Sequence, residues 1–310
     1  MIAAFQGKVA LVTGGNVGLG FSTAKHLLGK KASVTIACRS VKKCEDAKRR
    51  LLLFSPGGDL HTLKLDLSSF ASIRTASQMF LRKNRRLDSL ILNAGVMQTP
   101  YTLTQDNIEQ QIGVNHFGHF LLTKLMLPLL EQTAPSTVVV VSSSAHFNSY
   151  PEGVRLSLEA INDKKTYSPR LAYGQSKLAN ILFMQELSKR VQSQNILVNA
   201  VHPGAVSTEL GRHMLARLST NCGVFAPAVD VLVKKVLKPL IFEQLLWNPD
   251  DGALTQVFAA FAPRVFSERI SGNYFHPVAR ETPVDPLAAD SHMQTQLWEL
   301  SEQLTAKKSH

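Results

Sequence analysis

Short runs of β-branched and aliphatic residues recur along the chain, and between them the apolar positions change to helical spacing. The first kind covers 8–12, 33–37, 60–65, 87–92, 136–142 and 195–201; the second covers 18–29, 41–53, 69–84, 106–131 and 171–193. Periods near 2 and near 3.6 separate strands from amphipathic helices. Their alternation predicts α/β architecture, a Rossmann-type doubly wound parallel sheet with helices on both faces. Val138 to Val141 is apolar at every position, as a central parallel strand covered on both sides requires. No repeat or low-complexity linker interrupts the pattern, so one domain over 1–310 is expected. Beyond about residue 205 the regularity weakens, and the remainder reads as an appendage in which 205–250 is a candidate substrate lid. Residues 211–247 mix apolar and basic positions, a pattern shared by lids, shallow membrane-touching elements and plain packing helices.

Composition narrows the field. The formal charge is +11, but its basic groups (Lys42-Lys43, Lys48 to Arg50, Arg82 to Arg86, Lys234-Lys235) are short and carry no stacking aromatics. A nucleic-acid module is therefore not expected. Cys38, Cys44 and Cys222 are odd in number and lack a C-x-x-C, which indicates neither a disulfide framework nor a zinc site and suggests a reducing compartment. His116 and His119 have no third ligand at a useful spacing, so no metal is expected. A first strand at residue 8 leaves no room for a signal peptide, and Lys124 interrupts the apolar stretch 120–130. The expectation is a cytoplasmic protein, or one peripheral on an intracellular membrane, with no transmembrane span.

After the first strand stands "TGGNVGLG" (13–20), a glycine-rich turn opening a helix. Such turns bring backbone N–H groups close to phosphate. Phe21 excludes a P-loop lysine, and Thr23 stands where G-x-G-x-x-G needs its last glycine. What remains is T-G-x-x-x-G-x-G, with Gly14, Gly18 and Gly20 as matched glycines, Asn16, Val17 and Leu19 between them, and Gly15 without a role. The second strand ends "ACRS" (37–40), where an NAD site would carry Asp or Glu. Arg39 offers instead a guanidinium suited to a 2′-phosphate, which predicts NADP over NAD.

Tyr173 and Lys177 lie at i and i+4, on one helix face. An ammonium beside a phenol lowers its pKa and makes it a proton donor or acceptor. "VVVVSSSAH" (138–146) ends a central strand in hydroxyls, without the glycines of a hydrolase elbow. "NAG" (93–95) ends another strand, and Asn115 sits inside the apolar helix expected at 106–131.

In their order, "TGGNVGLG", "NAG", "VN", "SSS", "YGQSK" and "HPGAVST" resemble the short-chain dehydrogenase/reductase family from about residue 7 to 305. "ACRS", "HFGHFLLT", "SSSAH", "AYGQSKLANILF" and "SGNYF" are most similar to the retinol dehydrogenase and WW domain-containing oxidoreductase branch. The resemblance implies Tyr173 as general acid or base, with Lys177 holding the nicotinamide ribose and lowering the tyrosine pKa. It implies Ser143 on the substrate oxygen, with Ser142 or Ser144 as alternatives, and Asn115 anchoring a relay water. It further implies Asp66 and Leu67 near the adenine, Asn93, Ala94 and Gly95 along the adenosine, and Pro203, Gly204, Val206 and Thr208 around the nicotinamide. Departures are Lys31 before the second strand, 29 residues between Ser143 and Tyr173, and neither an N-terminal anchor nor a WW module.

The function expected is NADP(H)-dependent hydride transfer at a carbonyl or alcohol of an apolar substrate such as a retinoid, steroid or other lipid carbonyl. The alternative is an NADP(H)-binding regulatory protein without turnover. The partners expected are the small apolar substrate and no nucleic acid; peripheral membrane contact and a homodimer are compatible with the resemblance.

Overall fold

The structure is a computed structural model that describes residues 5–204 and 248–306. Its centre is one sheet: β1 (Val9–Thr13), β2 (Ser33–Cys38), β3 (Leu60–Lys64), β4 (Ser89–Leu92), β5 (Ser136–Val141), β6 (Ile196–Val201), β7 (Tyr274–His276) and β8 (Arg280–Glu281). They lie in the order β3-β2-β1-β4-β5-β6-β7-β8. Every neighbouring pair is parallel except β7 with β8. The first six strands fall on the six runs read from the sequence. The order reverses between β1 and β4, and ligands of such sheets bind outside the strand ends at that switch point.

The helices are α1 (Gly18–Gly29), α2 (Val41–Phe54), α3 (Phe70–Lys83), α4 (Gln110–Ile112), α5 (Gly118–Thr133), α6 (Leu158–Ile161), α7 (Pro169–Arg190), α8 (Pro249–Phe261), α9 (Pro263–Ser267) and α10 (Ser291–Thr305). Serines cap four of them: Ser40 before α2, Ser69 before α3, Ser157 before α6 and Ser168 before α7, each accepting a first-turn N–H. Two apolar clusters sandwich the sheet. Val138 and Val140 enter one and Val139 and Val141 the other, so the unbroken valine run is the residue pattern of a strand buried on both faces.

Three expectations change. The helix expected at 106–131 is broken, because α4 and α5 are joined by a π-turn over Gly113–Phe117 that contains Asn115. The region after 205 is no appendage in its described part, since β7 pairs with β6 inside the sheet and α8 lies against α1 and β5. Third, Cys38 and Cys44 are joined in a disulfide, their Cα atoms 5.8 Å apart where a strand end meets the first turn of the next helix. Cysteine count and the C-x-x-C test are blind to such a bridge, because the strand–helix corner supplies the proximity. The candidate lid at 205–250 lies almost wholly outside the described residues. Among the described residues, no helix is long and apolar enough to cross a membrane.

Candidate active site

The glycine turn follows β1 at the switch point. Gly14 has φ +68°, a left-handed backbone that favours glycine, and its N–H donates to Ala37 O at 2.7 Å. Gly15 now has a role: a Cβ there would stand 2.5 Å from Ile36 Cγ2, so only glycine lets the turn lie on β2. Thr23, at the place of the missing third glycine, is buried, and its single hydroxyl proton is shared between Leu19 O (2.9 Å) and Gln256 Oε1 (3.0 Å). Gln256 Nε2 in turn donates to Asn93 Oδ1 at 3.2 Å. A side-chain bridge from α1 through α8 to the "NAG" turn therefore replaces the close helix–strand packing a glycine would give. Asn16, Val17 and Leu19 remain in this turn, with Val17 exposed.

Thr13 ties the two turns together. Its hydroxyl oxygen accepts the N–H groups of Asn93 and Ala94, each at 2.9 Å. Asn93 Nδ2 donates to Thr13 O at 2.8 Å. Gly95 comes next to Asn115 and Lys177, since a Cβ on it would lie 3.2 Å from Asn115 Oδ1 and 3.8 Å from Lys177 Nζ. Sequence reading left Thr13 without a role although it is the first letter of the turn motif.

Arg39 is exposed just past β2 and forms no ion pair among the described residues. Donor and no acceptor is the chemistry a 2′-phosphate needs. Asp66 Oδ1 accepts from the N–H and the hydroxyl of Ser68, at 2.9 and 2.7 Å, which orders the corner after β3 together with buried Leu67. Pro203 and Gly204 follow β6 and are half-buried. Val206 and Thr208 lie outside the described residues.

Asn115 is fully buried inside the π-turn. Its Oδ1 accepts from Val96 N (2.8 Å), and its Nδ2 donates to Val96 O (2.9 Å) and Ser176 Oγ (2.9 Å). His119 Nδ1 bonds Asn115 O at 3.1 Å, and its Nε2 meets Thr13 Oγ1 at 2.9 Å. A carbonyl can only accept, so Nδ1 carries the proton and the Thr13 hydroxyl donates to Nε2. His116 goes elsewhere, to Ser301 Oγ at 2.8 Å, so these two histidines hold separate partners.

The three serines after β5 are no longer equivalent. Ser142 is buried and its hydroxyl donates to Lys177 O at 2.8 Å. Ser143 and Ser144 instead line a cavity of about 240 Å³ together with Tyr173. Lys177 Nζ donates to Val141 O at 3.0 Å and sits 5.7 Å from the centre of the Tyr173 ring. The ammonium thus lies over the ring face, away from a direct bond to the phenol oxygen. The expected lowering of the tyrosine pKa is not found. Burial pushes Tyr173 up to about 12 against a smaller opposite pull from Ser143, while burial pulls Lys177 down to about 8. Desolvation is the leading cause of both shifts.

The structure thus brings Ser143, Tyr173, Lys177, Asn115 and the two glycine turns to the end of the sheet where its parallel strands finish. Residues the sequence did not assign, Thr13, His119, Ser176 and Gln256, connect them. The family profile described as short chain dehydrogenase matches residues 8–157 and 159–218. Retinol dehydrogenase 14 of Mus musculus is 40% identical over 307 residues, covering 96% of this chain and 85% of its own. A putative uncharacterized protein from Mycobacterium paratuberculosis has a solved structure 34% identical to this chain, with TM-score 0.71 and coverage of 98% and 95%. The Pseudomonas aeruginosa RhlG/NADP active-site complex is 26% identical, with TM-score 0.63 over 89% of this chain and 96% of that one.

Proposed function

The chain belongs to the short-chain dehydrogenase family, an oxidoreductase acting on CH–OH and C=O groups, and on that premise we propose that it transfers hydride between NADP(H) and a carbonyl or alcohol substrate, with Tyr173 handling the proton. The observation that carries this is the convergence of Ser143 and Tyr173 on one cavity wall, with Lys177 one helical turn behind. The donor set fits the cofactor. The turn from Gly14 to Gly20 would meet the pyrophosphate, Arg39 the 2′-phosphate, Asp66 and Leu67 the adenine side, Asn93 to Gly95 the adenosine, and Lys177 the nicotinamide ribose. Bound there, the nicotinamide supplies or accepts the hydride. The NADP bound by the RhlG complex agrees with this choice of cofactor.

The chain's own residues divide the rest. Ser143 holds the substrate oxygen and turns it toward the Tyr173 phenol. Tyr173 is protonated at neutral pH, as its position near 12 requires, and so stands ready to protonate the oxyanion formed on reduction. Lys177 stabilises the phenolate left behind. Asn115, clamped on both sides of residue 96, holds the relay beneath the lysine. An apolar body for the substrate is supported by the retinol dehydrogenases among the relatives. The apolar positions at 206–247 that suggested it lie outside the described residues.

Tyr173→Phe tests the assignment directly. Carbonyl-dependent NADPH oxidation should fall by about 10²–10⁴-fold, while NADPH binding, followed by its fluorescence, persists. Undiminished turnover would sink the mechanism. Equal use of NADH and NADPH by the wild-type protein would remove the role of Arg39, and NADPH binding without turnover across a carbonyl panel would favour the regulatory alternative.

A further inference from the structure

The cavity that Ser143 and Tyr173 share carries several polar side chains beside its apolar surface. Gln98, Ser144, Asn148 and Arg170 line it beside Met97. Arg170 stands three residues before Tyr173 on α7, and side chains at that spacing share a helix face. Its Nη2 donates to Asn148 Oδ1 at 2.9 Å, which anchors one edge of the guanidinium. The planar fork has five N–H donors and no acceptor. Among the described residues no carboxylate comes within ion-pair distance of it, although the same chain pairs Arg86, Arg155, Arg190 and Arg264 with acids. The neighbouring wall is built with the same care. Gln98 has φ +49°, a left-handed conformation seldom taken by residues other than glycine, and its N–H is pinned to Gln111 Oε1 at 2.7 Å. Gln98 is thereby held in the cavity lining.

We propose that Arg170 is a specificity-determining residue and that the substrate carries an oxyanion, a carboxylate or a phosphate, close to its reacting carbonyl. The assignment rests on the carbonyl-reductase reading above. Ser143 and Tyr173 take the carbonyl oxygen, and Arg170, one turn away, takes the anion in bidentate fashion. Asn148 keeps the fork turned toward the cavity. The substrate is then amphiphilic, its charged end next to the chemistry and its apolar body beyond.

Three aldehydes of similar size test this: para-carboxybenzaldehyde, para-formylphenyl phosphate and the neutral para-methylbenzaldehyde, each with NADPH. The wild-type protein should prefer one or both anionic aldehydes in kcat/KM, and which of the two leads separates carboxylate from phosphate. Arg170→Gln should lower the ratio of anionic to neutral kcat/KM by at least about tenfold, as loss of a charge-assisted hydrogen bond does, with the change in KM and not in kcat. Arg170→Glu should invert the preference. Added salt should erode the wild-type preference, because the pair is solvent-accessible. A ratio unchanged in Arg170→Gln, or an equal fall in kcat for all three aldehydes, overturns the proposal while leaving the reductase reading in place. A wild-type protein inactive on all three overturns both. Thermal midpoints and NADPH affinity of the variants separate a lost contact from a misfolded chain.

Discussion

Burial acts on Tyr173 and Lys177 in opposite directions, and the pair's pH behaviour follows from that. Lys177 is charged below about 8 and loses its charge as pH rises through that value. The phenolate left by proton transfer then loses its nearest cation. Carbonyl reduction is therefore expected to decline as pH rises through about 8, measured as kcat at saturating NADPH. Lys177→Arg, whose charge does not titrate there, should keep whatever turnover it retains without that falling limb. A limb of unchanged position in the arginine variant would assign the titration to another group. At this scale the sequence was legible where chemistry is local. Tyr173 and Lys177 stand four apart, and Arg39 sits at a strand end. It was silent where partners are far apart in the chain: Thr13 meets His119 across 106 positions, and Gln256 meets Asn93 across 163. No periodicity encodes such pairs. Gly15 belongs to the same class, since its reason is the side chain of Ile36 on the next strand.

At the scale of elements, the π-turn between α4 and α5 shows why one long helix was a natural but incorrect expectation. The residues of 106–131 are apolar at helical spacing, and pattern alone cannot distinguish an i→i+4 from an i→i+5 turn. Within the π-turn the side-chain amide of Asn115 pairs with both backbone groups of Val96. π-turns of this kind are common at functional sites. Asn115→Ala would leave the N–H and C=O of half-buried Val96 without this partner, a loss of up to ~1–3 kcal/mol for each group that water cannot reach. The expected outcome is a lower thermal midpoint and faster hydrogen exchange at the Val96 amide, together with reduced turnover. An unchanged exchange rate would mean that the turn is held by other contacts. β7 escaped sequence reading for a simpler reason: three residues are too short to show alternation, and its place is set by pairing with β6.

The whole molecule is closed by its last described helix. In α10, Trp298 is 5% exposed and its ring lies 4.9 Å from Phe120 and 6.1 Å from Phe183, on α5 and α7. Arg190 and Lys124 lie over it at 4.4 and 5.6 Å. Arg74 of α3 donates to the carbonyl of Thr305, at the C-terminal end of the same helix. Trp298→Ala should cost about 3–5 kcal/mol, read as a shift in denaturant midpoint, and should lower turnover, since α7 carries Tyr173 and Lys177. Full activity with a large loss of stability would show that α7 keeps its place without this cover. Doubly wound topology was legible from strand–helix alternation. The closure was not, because it depends on α10 reaching back to α5 and α7.

That closure sets a timetable for synthesis. Tyr173 and Lys177 leave the ribosome well before the residues that seat their helix. At roughly 5–20 residues per second, the stretch from Tyr173 to Thr305 takes on the order of 7–26 s to make. During that interval β6 has an open edge where β7 will pair, and α7 shows the apolar face that α10 will cover. The nascent chain is thus exposed at α7 to chaperones and to neighbouring nascent chains until α10 is made.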